Sequence, residues 1–114
     1  MPIAGNVPIR GQAQVAVSAP YTNVVTGELA GVTSATQLPD VSCKLARLKA
    51  GASNVGGVYV GAAGVTKPDG TTDATTGFEL RPGEETGWIP VDNLNRLYRI
   101  CDNAGDDLLY LALA

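Results

Sequence analysis

The sequence predicts an all-β protein, an antiparallel β-sandwich or jelly roll preceded by a less strongly patterned, extended N-terminal segment. Three observations support this fold class. Short apolar or alternating runs such as Gly57-Val58-Tyr59-Val60-Gly61 recur along the chain. Strong turn signals separate them, for example Lys67-Pro68-Asp69-Gly70, in which Pro presets φ and the Asp-Gly pair accepts positive φ. No segment has convincing helical periodicity.

The chain changes texture near residue 38, although its 114 residues fit one domain. Residues 1–38 are expected to form an extended segment and edge strands, with Arg10 and Glu28 as their only charged side chains. Within them, residues 12–17 alternate with period two, and residues 22–26 are predicted to form a strand that ends at Gly27. Weak patterning leaves strand register weakly specified, so this segment could be an intersubunit arm or an ordinary edge strand.

Residues 39–114 are expected to form the β-sandwich module. Val41, Cys43 and Leu45 alternate with polar or small residues, which favours a half-buried strand through about residue 50. A short helix is the alternative, with Asp40 as its N-cap and Gly51 as its stop. The strand is favoured because an isolated helix of that length is marginal in water.

Further strands are predicted at residues 55–60, 78–80, 88–91, 97–100 and 108–113. The long polar stretch of residues 62–77 is expected to be an exposed loop, and residues 102–106 are expected to connect a hairpin. Trp88 is expected in the core beside Ile89. The last strand carries Leu109, Leu111 and Leu113 on one face and Leu108, Tyr110 and Ala112 on the other.

Composition argues against an enzyme. The chain has no histidine, which excludes Ser-His-Asp and Cys-His catalysis and the usual zinc sites. Cys43 and Cys101 are interpreted as free, packed thiols, with a disulfide as the alternative. The acidic pairs Glu84-Glu85 and Asp106-Asp107 lie at predicted turns, where carboxylates normally face water. The sequence therefore predicts no catalytic residues, no cofactor and no metal site.

Charge and hydropathy also exclude two kinds of partner. The formal net charge is −3 and the eight basic residues are scattered, whereas nucleic-acid binding requires clustered Lys and Arg. No run approaches the roughly 18 apolar residues of a membrane span. Only 17% of residues are charged, so part of the surface could be covered by other copies of the chain or by a partner.

An ordered set of motifs then narrows the class. Three motifs follow one another before a terminal strand rich in Leu, Tyr and Ala. They are Gly57-Val58-Tyr59-Val60-Gly61, Gly77-Phe78-Glu79-Leu80-Arg81-Pro82-Gly83-Glu84 and Val91-Asp92-Asn93-Leu94-Asn95-Arg96-Leu97-Tyr98. Residues 40–114 thereby resemble a small virion module of tailed bacteriophages. That resemblance implies a β-sandwich found in capsid cement or decoration proteins and in tail or head-fibre proteins.

The resemblance implies a non-enzymatic protein of the virion, made in the host cytoplasm and placed on the capsid surface. Its expected partners are further copies of itself, as a homotrimer, and the major capsid protein. A tail, fibre-base or head-fibre adaptor is the alternative. Two contact regions are expected: the N-terminal segment, because it has accessible backbone and little charge, and the long polar loop. The candidate interface residues are Ile3, Val7, Ile9, Val15, Val17, Lys67, Asp69 and Thr72.

Overall fold

The computed structural model describes residues 21–72 and 74–114, and the all-β class is confirmed. Within that range no helix has the length and apolar character needed to cross a membrane. One short 3-10 helix spans Leu94–Arg96. The strands are β1 Val24–Ala30, β2 Thr36–Gln37, β3 Leu45–Ala50, β4 Val58–Gly61, β5 Phe78–Leu80, β6 Tyr98–Cys101 and β7 Asp107–Leu113.

The strands form two antiparallel sheets. The three-stranded sheet has the order β1-β7-β3, and the four-stranded sheet has the order β2-β6-β4-β5. β1 and β2, which fall within the expected N-terminal segment, are edge strands of the two sheets. The strand interpretation of residues 45–50 is confirmed, because β3 pairs along its length with β7 from Leu45 opposite Leu113 to Ala50 opposite Leu108.

One core lies between the inner faces of the two sheets, an arrangement compatible with a β-sandwich. Leu48 and Leu108 of the three-stranded sheet and Val58 and Cys101 of the four-stranded sheet have no exposed surface, and all four belong to the same cluster. A side-chain hydrogen bond links the two sheets, since Nη2 of Arg99 in β6 donates to the carbonyl oxygen of Ala30 in β1 at 3.1 Å.

Residues 83–93 run antiparallel to the free edge of β3 without forming a continuous strand. Ala46 and Ile89 exchange both backbone hydrogen bonds, at 2.9 and 2.7 Å. The Thr86 amide donates to the Leu48 carbonyl, and the Thr86 hydroxyl in turn accepts from the Leu48 amide. This segment, the β3-edge segment, satisfies backbone groups that would otherwise form an open edge.

Two expectations about strand ends are wrong. Gly27 does not end a strand but lies inside β1, opposite Tyr110 of β7. A Cβ atom at position 27 would lie 2.6 Å from the Tyr110 ring, so glycine leaves room for the ring to lie over the strand. Residues 102–106 do not connect a hairpin, since β6 and β7 belong to different sheets.

Candidate interaction surfaces

The structure describes part of the predicted interface. Ile3, Val7, Ile9, Val15 and Val17 lie outside the described residues. Lys67, Asp69 and Thr72 are brought together on one loop, residues 62–77, which connects β4 to β5. The expectation that this loop is an exposed excursion holds for most of its residues, but not for all of them.

The three predicted loop residues differ in how they are held. Lys67 is partly buried, and its Nζ donates to the Cys101 carbonyl at 3.2 Å. Exposed Asp69 accepts from the Thr71 amide, the Thr71 hydroxyl and the Thr72 amide at 2.8, 2.7 and 3.0 Å. These bonds, first of all that from the Thr71 hydroxyl, lower the pKa of Asp69 to about 2. Asp69 and Thr72 are therefore the accessible members of the predicted set.

Beneath its polar residues, the loop covers the outer face of the four-stranded sheet. Val65 is 4% exposed and packs with Tyr59 and Ile100, which lie on neighbouring strands of that sheet. Close approach depends on Gly77, where a Cβ atom would lie 2.8 Å from both the Tyr59 Cβ and a Val65 methyl. The loop base is fastened by Thr66 and Thr76, whose amides each donate to the other's hydroxyl at 3.0 Å.

The cleft beside this loop has polar walls. It has a volume of about 430 Å³ and is lined in part by Tyr59, Glu79, Arg81 and Asp102. The Tyr59 hydroxyl donates to Asp102 Oδ2 at 3.2 Å. Burial, reinforced by the Asp102 charge, raises the pKa of Tyr59 to about 12. The phenol therefore stays protonated at neutral pH and serves as a hydrogen-bond donor.

The acidic corner at residues 102–107 is occupied by structural hydrogen bonds. Asp106 is 2% exposed and accepts from the amides of Val55 and Gly56 at 2.8 and 3.0 Å. Those bonds, the Val55 amide first, lower the pKa of Asp106. Asp102 Oδ2 likewise accepts from the Gly57 amide at 2.9 Å. In the part of the chain that the structure describes, no three acidic or cysteine side chains are grouped to hold a metal ion.

Both cysteines are free and buried. Burial raises the pKa of the Cys43 and Cys101 thiols, which disfavours the reactive thiolate. The Cys43 thiol donates to the Val91 carbonyl at 3.3 Å. This bond links the residues just before β3 to the β3-edge segment. Their packing role matches the interpretation from sequence.

Apolar side chains are also partly exposed on the outer face of the three-stranded sheet. Leu108 and Ala112 of β7 are in the core, so strand alternation directs Leu109, Leu111 and Leu113 outward. These three side chains are partly exposed. The sequence showed their alternation, but it gave no signal that the leucine-rich side faces away from the core.

Trp88 flanks this outer face and is 44% exposed, so its expected place in the core is wrong. The Arg47 guanidinium lies 5.4 Å from the centroid of the Trp88 ring, within the range of a cation–π contact. Arg47 Nε also lies 2.7 Å from Glu85 Oε1. The next residue, Ile89, packs against the core instead, because successive side chains of the β3-edge segment point to opposite sides, as they do in a strand.

No protein-family model, no curated protein and no solved structure matches this chain. The likeness to a tailed-phage module is therefore based on the ordered motifs of residues 40–114, and the function it implies is a proposal.

Proposed function

We propose that the protein is a non-enzymatic structural component of a tailed-phage virion, which binds the head shell as a homotrimeric cement or decoration protein. The observation that carries the proposal is the ordered set of three motifs, each of which coincides with a structural unit of the fold. Its proposed contact regions are the N-terminal segment around residues 3–17 and the accessible side of the loop at residues 66–76.

The last motif shows why these residues occur together. Asn93 Oδ1 accepts from the Val41 amide at 3.1 Å and from the Asn95 amide at 2.9 Å, and so caps the 3-10 helix. Leu94 has no exposed surface. Asp92 receives two hydrogen bonds from Arg96, at 2.9 and 3.1 Å. The motif encodes a cap and a core anchor, so it supports a shared fold, and function follows by analogy.

The motif at residues 77–84 encodes β5 and the turn that follows it. Gly83 has φ of +84°, a conformation that favours glycine. The Arg81 amide donates to Glu84 Oε1 at 2.8 Å, and the Glu84 amide donates back to the Arg81 carbonyl at 2.9 Å. This turn delivers the chain from the edge of the four-stranded sheet to the β3-edge segment.

Strand pairing supports a jelly roll as the finer description of the fold. With the β3-edge segment counted as a strand, residues 21–114 without residue 73 contain eight strands, and in chain order the first pairs with the eighth, the second with the seventh, the third with the sixth and the fourth with the fifth. The corresponding pairs are β1 with β7, β2 with β6, β3 with residues 83–93, and β4 with β5. This nested pairing is that of one long hairpin rolled into two sheets, and such folds occur in viral capsid proteins.

The proposal is tested on virions of the phage that encodes the chain. Antibody labelling seen by electron microscopy should mark heads, and light scattering of the purified protein should give the mass of three 11.7 kDa chains. Labelling of tails or fibres would favour the adaptor alternative over capsid cement. A protein absent from purified particles would overturn both.

A further inference from the structure

We infer that the outer face of the three-stranded sheet is a self-complementary docking surface for a second copy of this chain. This inference concerns a two-fold contact and does not rest on the proposed phage function. The homotrimer proposed above would need a different surface, because a two-fold contact of this kind joins copies in pairs.

Side chains on this face form three rows across β1, β7 and β3. The rows are set by the register of the two strand pairs: the first holds Val24, Leu113 and Leu45, the second Thr26, Leu111 and Arg47, and the third Glu28, Leu109 and Lys49. We call these nine residues the leucine face. Its first row is entirely apolar, and a leucine occupies the centre of every row.

The β3-edge segment contacts the leucine face at its rim, where Trp88 and Glu85 lie against Arg47. Leu45, Leu109, Leu111 and Leu113 are not among the side chains that pack against the core, and Val24 is 61% exposed. The opposite sheet differs, since its outer face is covered by the loop that carries Val65. An apolar stripe of this kind on the centre of a sheet is typical of an interface.

The arrangement of charges indicates that the occupant is another leucine face. Glu28 and Lys49 flank Leu109 on opposite sides of the third row, and neither forms a salt bridge among the described residues. A two-fold axis parallel to β7 exchanges the β1 side with the β3 side. Glu28 of each copy then faces Lys49 of the other, and each leucine faces its own counterpart.

The other in-plane orientation does not give this match. An axis perpendicular to β7 would set the charged third row against the apolar first row and would bury Glu28 and Lys49 without partners, at a high desolvation cost. Facing sheets pack about 10 Å apart with their strands about 30° from parallel. Turning the two copies by half that angle in opposite senses about the normal to the sheets gives this crossing, preserves the two-fold axis and keeps each row facing its counterpart.

The decisive experiment uses two single charge reversals of the full chain, Glu28→Lys and Lys49→Glu. Each variant alone sets like charges against each other at two places in a pair, and we expect its self-association to be about tenfold weaker than that of the unchanged protein. Mixed in equal amounts, the two variants restore both opposite-charge contacts. Sedimentation velocity over a concentration series should therefore show the mixture associating as the unchanged protein does.

Mixing separates contacts between copies from contacts within one copy, because an effect inside a single chain is not repaired by a second variant. Leu111→Lys should abolish the two-fold pairing, whereas Val55→Lys, at an 86% exposed loop position, should leave it unchanged. Circular dichroism and urea unfolding confirm that each variant is folded. An unchanged protein whose mass does not double as its concentration rises to the millimolar range, or a mixture no better associated than its components, overturns the inference.

Discussion

The outer faces of the two sheets differ in exposure: one is covered by a loop of the chain, and the other is partly exposed in the described structure. On the four-stranded sheet, Tyr59 and Ile100 are 3% and 8% exposed because Val65 and its loop lie over them. On the three-stranded sheet, Leu109 and Leu111 stay partly exposed in the described structure. A strand's outward residues therefore do not reveal by their apolarity whether the chain covers them itself or offers them to another molecule.

The two sides of β7 give the largest expected contrast. Leu108→Ala removes a side chain with no exposed surface and should lower the free energy of unfolding by about 2–5 kcal/mol. Leu109→Ala, on the outward side of the same strand, should lower it by about 0.5 kcal/mol. Urea unfolding at a low protein concentration, where pairing between copies does not contribute, measures both. Equal losses would mean that the leucine face is covered within the monomer.

The loop cover should contribute less than the core but more than an exposed residue. Val65→Ala removes contacts with Tyr59 and Ile100 and should lower the free energy of unfolding by about 1–2 kcal/mol. Val55→Ala is the matched control, since Val55 is 86% exposed and a change there should stay within about 0.5 kcal/mol. If both substitutions had the same small effect, the loop would not be a stabilising cover.

The pKa of the Tyr59 phenol depends on whether the loop covers it, so the ionisation of Tyr59 can be used to test the cover. Its folded pKa of about 12 lies above the ordinary value of 10.0, so its contribution to stability is fully present below pH 10.0. That contribution is lost as the pH rises through about 12. Tyrosinate absorbance should show one of the four tyrosines ionising last, and Tyr59→Phe should remove that step.

Asp102→Asn sharpens the same measurement. It removes the neighbouring negative charge, so the pKa of Tyr59 should fall but should stay above the ordinary value, because burial is the largest cause of the shift. Val65→Ala should lower the pKa too, by admitting water to the phenol. Ionisation of all four tyrosines in a single step near pH 10 would contradict the covered environment of Tyr59.

The sequence predicted the all-β class and the positions of most turns, because those follow from alternation and from residues such as Pro68 and Gly70. It did not predict which side of β7 faces inward. Leu109, Leu111 and Leu113 form the more apolar side, yet Leu108 and Ala112 fill the core. That choice depends on pairing with β3, where Ala46, Leu48 and Ala50 are all buried, and pairing between distant strands is not a local property of sequence.

The site predictions met the same limit. Lys67, Asp69 and Thr72 are close in sequence, so their shared loop could be predicted. The leucine face could not, since Glu28 and Lys49 become row neighbours only through β7. The exposed position of Trp88 depends likewise on the pairing of the β3-edge segment, which places Ile89 rather than Trp88 against the core.

Substitution of Asp69 should have the smallest effect on the free energy of unfolding. It tests whether the hydrogen bonds at the loop tip stabilise the loop. The Asp69 pKa of about 2 should be visible in an NMR pH titration, yet the residue is fully exposed, and its side-chain hydrogen bonds among the described residues are to Thr71 and Thr72. Asp69→Ala should therefore leave the global free energy of unfolding unchanged and speed amide exchange at those two threonines alone. Destabilisation comparable to that of Val65→Ala would show that the hydrogen bonds at the loop tip contribute as much to the cover over Tyr59 as its apolar underside does.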